Sequence, residues 1–230
     1  MKERVLPEPD KYASWPNEGK ILEYYRGQFE SVYIVLHPFL LPKSIDMERF
    51  CPDNWPSKHE IIEGCEAVSW AKVLELTNLN KLSEIDIGLR TSDGGLHEHL
   101  ENKAFAEILY KLTDEKNIIH AQEGVLPPLL ENRIYEAVKA LGQDWLWVGD
   151  EFGTERKLHW IDDLIEKDEV PGHGCVFSHD HSLLVTTHWD SHCSFLCSSK
   201  EIIELILAVE KFEGFYCTEK TKVYWGLHEI

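Results

Sequence analysis

Cys175-Val-Phe-Ser178, Ser182-Leu-Leu-Val-Thr-Thr-His-Trp189 and Cys193-Ser-Phe-Leu-Cys-Ser198 read as three successive strands. Each is short, apolar and enriched in β-branched or aromatic residues. The links between them are too short for a helical crossover, so neighbouring strands must pair antiparallel. That predicts an α+β fold, a mostly antiparallel sheet with helices packed on it, rather than a doubly wound parallel sheet. A helix is predicted from Lys200 to Lys211, with Ser198 and Glu201 in capping-box spacing. Phe215-Tyr-Cys217 and Lys222 to Trp225 read as two further strands, giving a C-terminal β-β-β-α-β-β unit.

Upstream, Pro171-Gly172-His173-Gly174 marks the boundary of that unit. The chain divides into a Pro-rich arm over 1–16, a mixed helix and strand region over 17–170, and the unit over 171–230, packed as one domain with the region before it. Ser31 to Leu36 is a buried strand closed by His37-Pro38. Helices are predicted over Asn17–Gly27, Lys58–Gly64 and Ser69–Thr77, and from Pro127-Pro128 to Gly142, with a strand over Asp144–Val148. The strongest helical period lies between Asp93 and Leu112, where Leu96, Leu100, Ala104, Ile108 and Leu112 recur every four residues. Asp93 stands where it can cap that helix.

With 43% apolar residues and eight Trp, 230 residues carry enough material for a real core, which excludes a disordered chain. No run has the roughly 18 uncharged apolar residues of a membrane span, and the first residues lack the apolar stretch of a signal peptide. The chain therefore reads as soluble and cytoplasmic, and its six cysteines are expected to be reduced. A net charge of −18 with no cluster of Lys or Arg argues against nucleic acid, whose binding needs a basic face. Phosphate-binding loops and a nucleophile elbow are absent from the sequence.

Carboxylates concentrate between Asp150 and Glu169. Asp162, Asp163, Glu166, Asp168 and Glu169 are candidates for meeting a basic protein partner, since complementary charge steers association. The plain alternative is a solvated helix. Histidines concentrate between residues 173 and 192. With Asp190-Ser191 as a two-residue turn, His188 and Cys193 would lie opposite each other, and His179 and His181 share a strand face. His179, His181, His188, His192 and Asp190 are therefore candidate ligands for zinc or another divalent transition metal. Histidines near turns are also often merely solvated, and no recognised zinc-protease spacing occurs. Arg90 in Ser83-Glu-Ile-Asp-Ile-Gly-Leu-Arg-Thr-Ser92 is expected to pair with Asp86.

Tyr33-Ile-Val-Leu-His-Pro-Phe39, Ser83 to Ser92, His188-Trp-Asp-Ser-His-Cys-Ser-Phe-Leu-Cys-Ser-Ser199 and Glu213-Gly-Phe-Tyr-Cys217 with Trp225 together resemble an uncharacterised bacterial family, a domain of unknown function seen mainly in bacilli. The resemblance covers most of the chain and implies no activity. The C-terminal unit is also similar in style to small immunity proteins of bacterial toxin systems. Two readings follow. The first is a non-catalytic binding protein of immunity or inhibitor type, without a cofactor, whose acidic segment meets a basic partner. The second is a metal-dependent hydrolase built on the cluster from His179 to His192.

Overall fold

Strand β1 (Ser31–Leu36) lies in the interior of a seven-stranded antiparallel sheet. The structure, a computed structural model, describes residues 5–168, 170 and 173–228. A separate two-stranded antiparallel sheet pairs β2 (Phe39–Pro42) with β3 (Cys65–Val68). The remaining strands are β4 (Trp145–Gly149), β5 (Arg156–Trp160), β6 (Cys175–Phe177), β7 (Leu184–Thr187), β8 (Cys193–Ser198) and β9 (Gly214–Tyr216). Their spatial order is β5-β4-β6-β7-β8-β1-β9, so strands from both sides of residue 170 alternate within one sheet. The protein is α+β, as its short inter-strand links require.

Every residue of β8 is buried, which means that both faces of the sheet are covered. Ile34 and Phe195 share one face with Val32, Leu36 and Leu184. Against it pack α1 (Ile21–Tyr24), α3 (Trp70–Leu76), α4 (Leu82–Asp93) and α5 (Lys103–Lys116), with Trp70 and Trp225 fully buried between. Tyr33, Val35, Val185 and Leu196 point the other way. They meet α6 (Pro128–Ala140), α7 (Ile161–Glu166) and α8 (Lys200–Val209). Helix α2 (Lys58–Gly64) sits beside β3 and α6. Burying one large apolar side chain in such a layer contributes roughly 1.5–3 kcal/mol. Among the described residues no helix is long and apolar enough to cross a membrane.

Local chemistry sets most helix ends. Ser57 and Glu60 form a reciprocal capping box at α2. Ser69, Asn102 and Ser199 accept the N3 amides of α3, α5 and α8, so the cap of α8 is one residue later than expected. The predicted helix from Asp93 to Leu112 is not one element. Gly94 takes the left-handed conformation at φ 75°, which only a residue without Cβ adopts freely, and it stops α4 behind Asp93. Asn102 then starts α5 afresh, and Leu100, which fits the apolar period, lies at the surface. The helix expected over Asn17–Gly27 is confined to Ile21–Tyr24. The last expected strand also fails to form: Lys222 makes one isolated bridge to Lys20, and Trp225–Leu227 is a 3-10 turn. Trp225 is drawn into the core instead of into a ladder.

Between β7 and β8 the ladder reaches Thr187 and Ser194, in the register that the expected turn implies. The turn tightens beyond it, because the Ser191 amide donates to the His188 carbonyl at 3.0 Å. Arg90, fully buried at the end of α4, locks this turn to two other segments. Its Nε donates to both Asp86 carboxylate oxygens at 3.1 Å, one nitrogen donates to the Asp190 carbonyl, and another to Ser191 Oγ at 3.0 Å and the Val223 carbonyl at 3.4 Å. The guanidinium lies 4.8 Å from the Tyr224 ring centre. Asp86 in turn abuts Gly226, where any Cβ would strike its carboxylate.

Arg90→Met should lower the free energy of unfolding in urea by about 3–5 kcal/mol, because it strands the Asp86 charge in the core. The double variant Asp86→Leu/Arg90→Met should recover a large part of that loss; an undiminished loss would show that packing, not the unpaired charge, sets the cost.

Candidate active site

The five residues of the predicted metal cluster are dispersed by the turn geometry. His179 is exposed and accepts a hydrogen bond from Trp147 Nε1 at 3.1 Å. His181, at φ 59°, stacks on Tyr12 with ring centres 3.6 Å apart. His188 is buried with both nitrogens in use: Nδ1 accepts the Asp190 amide, and Nε2 donates to the Asn17 carbonyl, each at 3.1 Å. Burial, helped by the nearby Arg90 charge, pulls its pKa down to about 4 and keeps it neutral. Asp190 receives the Tyr224 hydroxyl at 3.1 Å. Burial raises the neighbouring Cys193 thiol to about 12, which keeps it protonated. His192 alone of the five joins a group of potential ligands, and it does so with two residues from distant segments.

Those residues are Asp93, the last residue of α4, and Glu123. Single ligand atoms of Asp93, Glu123 and His192 all lie within 4.8 Å of one another, the only such group among the described residues. His192 Nε2 donates to Asp93 Oδ2 at 2.8 Å, and the ring itself is fully buried. Its Nδ1 has no hydrogen-bond partner.

Glu123 is held in place by a loop pinned on both sides. Ile119 exchanges two backbone hydrogen bonds with Leu40, at 2.8 and 3.0 Å. Three residues on, the Gln122 carbonyl accepts from His37 Nδ1 at 2.7 Å. A carbonyl only accepts, so Nδ1 carries the proton and the neutral ring must accept at Nε2 from Ser194 Oγ, 2.8 Å away. Ser194 is itself bonded to Thr187 at 2.7 Å. Burial drives the His37 pKa down to about 3. The Gly124 amide then donates to the Ser191 carbonyl at 2.9 Å, fastening the loop to the β7–β8 turn.

His192 stays fully buried against Asp93, while Asp93 and Glu123 line a cleft of about 480 Å³, walled further by Trp55, Tyr110, His120 and Gln122. Its electrostatics are unbalanced. Burial, then the Asp93 and Asp190 carboxylates, push the Glu123 carboxyl from its ordinary 4.5 up to about 7, against the pull of Arg90. Asp93 also stands at the C-terminal end of α4, where the helix dipole is negative and a carboxylate is disfavoured. His120 is held neutral, its pKa lowered first by burial, and its Nε2 has no partner; Gln122 Oε1 likewise has none. Buried polar atoms without partners are uncommon in folded proteins, and here they line one cleft.

Of the candidate partner-binding carboxylates, Asp162 is paired with Lys139 and accepts Trp160 Nε1 at 2.9 Å, and Asp163 pairs with Lys167 at 3.1 Å. Glu166 and Asp168 are exposed, and Glu169 lies outside the described residues. Asp93 carried a capping signal in the sequence, while His120, Gln122 and Glu123 belong to no motif. Their one legible mark is a His and a Glu three residues apart in a loop between two helices.

Residues 17–227 match a family described as "Protein of unknown function (DUF2711)". The chain is also similar to the "Uncharacterized protein YwbB" of Bacillus subtilis (strain 168), with 21% identity over 222 residues covering 93% of this chain and 98% of that protein. No solved structure matches it.

Two pH effects follow. A carboxyl with a raised pKa holds a proton in the folded chain that the unfolded chain has lost, so Glu123 makes stability fall as pH rises from about 4.5 to about 7. Glu123→Gln should therefore melt like the wild type below pH 4.5 and increasingly higher than it up to pH 7, after which the gap is constant. His37 works in the opposite sense: the unfolded chain takes up its proton below about 6.5, so stability is lost as pH falls from 6.5 towards 3, on the order of 5 kcal/mol in full. Denaturation of His37→Gln at a series of pH values should show a flatter acid limb; an unchanged limb would mean that other groups drive acid unfolding.

Proposed function

The chain belongs to the DUF2711 family, and we propose that its cleft is the active site of a divalent-metal-dependent hydrolase with Asp93, Glu123 and His192 as ligands. The observation that carries this reading is their convergence within 4.8 Å from three separate segments. Two donors on one ion at about 2.0–2.2 Å stand near 3 Å apart, close to the 2.8 Å between His192 Nε2 and Asp93 Oδ2. In the free protein a proton on Nε2 occupies that position, and an ion would take its place. One imidazole and two carboxylates suit zinc, manganese or iron(II) better than calcium.

A dication also answers the electrostatic imbalance. It neutralises the charge that raises Glu123 and opposes the dipole at the end of α4. Such an ion lowers the pKa of bound water towards neutrality and supplies the nucleophile of hydrolysis. The protein groups keep distinct tasks. The His37–Gln122 bond and the Gly124–Ser191 bond hold Glu123 at the distance of a ligand. Neutral His120, which lines the cleft and whose buried Nε2 has no hydrogen-bond partner, would take and return a proton at the substrate.

An immunity-type inhibitor that meets a basic protein would draw on Asp162, Asp163, Glu166 and Asp168. Two of these are engaged with Lys139 and Lys167, which leaves less unpaired charge than the sequence run suggests. The cleft carries the stronger case.

Calorimetric titration of tag-free, chelator-stripped protein with zinc and manganese should give close to one ion per chain. Glu123→Gln and Asp93→Asn should each weaken binding by at least about tenfold. At pH 6 binding should release more protons than at pH 8.5, because Glu123 is then protonated. No binding at millimolar metal, or unchanged affinity in both variants, would overturn the assignment.

A further inference from the structure

A second recess of about 240 Å³ adjoins the cleft across Trp55, Gln122 and Val125, which wall both. Its sides are hydrocarbon from Pro56, Ile61, Leu126 and Val170, and its charged groups are Lys58, Glu131 and Asp168. Lys58 is not available to a ligand. Its ammonium donates to the Leu164 carbonyl at 2.7 Å and to the Lys167 carbonyl at 3.4 Å, and it pairs with Glu131 Oε2 at 3.1 Å. Both partners of that ion pair are buried, Lys58 at 6% and Glu131 at 5% side-chain exposure.

What remains is rich in acceptors. Gln122 Oε1 is buried without a hydrogen-bond partner, buried Glu131 Oε1 has only the Tyr135 hydroxyl beside it, and Asp168 lies at the exposed rim. Trp55 is 38% exposed and stands edge-on against Phe50, with ring centres 5.3 Å apart. A π-face held in this way attracts cations and alkyl stems. Across both recesses the lining carries Asp93, Glu123, Glu131 and Asp168 against one internally spent lysine. An anion gains nothing here, whereas a positively charged donor meets unpaired acceptors, an aromatic wall and apolar sides.

We propose that this second recess is a substrate subsite for a primary alkylammonium group: a hydrocarbon stem of a few carbons lying along Trp55 and ending in an ammonium directed at Gln122, Glu131 and Asp168. The inference rests on the hydrolase reading for the word substrate, while binding of the amine stands without a metal. The substrate class it implies is an amine-tailed amide or ester whose scissile bond reaches the cleft beside Asp93, Glu123 and His192.

The test is calorimetry at pH 8 on chelator-treated protein with 1-aminopentane, 1-pentanol and pentanoate as probes. The amine should bind at least tenfold more tightly than the alcohol, and pentanoate should not bind. Asp168→Asn changes an exposed side chain and should leave the melting temperature in place; it should weaken the amine severalfold and leave the alcohol unchanged, whereas Trp55→Ala, which removes the wall along the stem, should weaken amine and alcohol alike. Equal binding of amine and alcohol, preference for pentanoate, or full amine affinity in both variants would overturn the subsite. Amine binding without any metal binding would remove the hydrolase and keep the subsite, and metal binding without amine binding would do the reverse.

Discussion

A guanidinium with no access to water must find every partner inside the protein, and Arg90 is such a group. Its hydrogen bonds reach Asp86 on its own helix, the turn at Asp190 and Ser191, and the C-terminal segment at Val223. Leaving any of these unmade in the core costs far more than a surface ion pair returns. The three segments are therefore held in one arrangement. Asp93 follows Arg90 by one turn of helix, and His192 follows Ser191 directly, so the constraint that settles the core also sets the 2.8 Å contact between Asp93 and His192.

The third member of the site is placed by a second buried network. His37, at the end of β1, joins the Gln122 carbonyl to Ser194 and Thr187 on the central strands. It carries the rigidity of the sheet into an irregular loop, and the loop delivers Glu123. The result is a cluster that the folded chain tolerates rather than prefers. Three carboxylates, Asp93, Glu123 and Asp190, stand near one another, and Arg90 is the one cation set against them. Local rules broken at one place in an otherwise consistent fold are what supports the proposed site, because stability given up there is maintained elsewhere by packing.

Particular residues show how far the sequence could be read. Ser31–Leu36 and Cys193–Ser198 announce themselves as buried strands through unbroken apolar and β-branched runs, and both form. Ser57 and Glu60 signal a helix start by a chemistry confined to four residues. The period from Leu96 to Leu112 misled because a four-residue repeat says nothing about the backbone between its members: Gly94 ends α4 ahead of it, and a 3-10 turn at Glu98–Leu100 precedes the fresh start at Asn102. Lys222–Trp225 has strand composition, yet Trp225 packs fully buried against Trp70 and Phe215, with ring centres 6.0 and 5.1 Å away, instead of joining a ladder. His188 and His192 look equivalent in the sequence. The turn that separates them gives one of them two backbone partners and the other a carboxylate from 99 residues away.

The sequence by itself determined the fold class, the antiparallel pairing of its C-terminal strands, the Arg90–Asp86 pair and the family. The first three rest on local periodicity, short links or i,i+4 spacing, which a chain carries within a few residues, and the family rests on the resemblance of stretches such as Tyr33–Phe39 and His188–Ser199. Only the tertiary structure decided that Asp93, Glu123 and His192 come together in one cluster. Their convergence depends on which strands become neighbours and on two buried networks that join segments roughly a hundred residues apart. No local pattern encodes it, because the free energy that enforces it comes from satisfying Arg90 and His37 in the core.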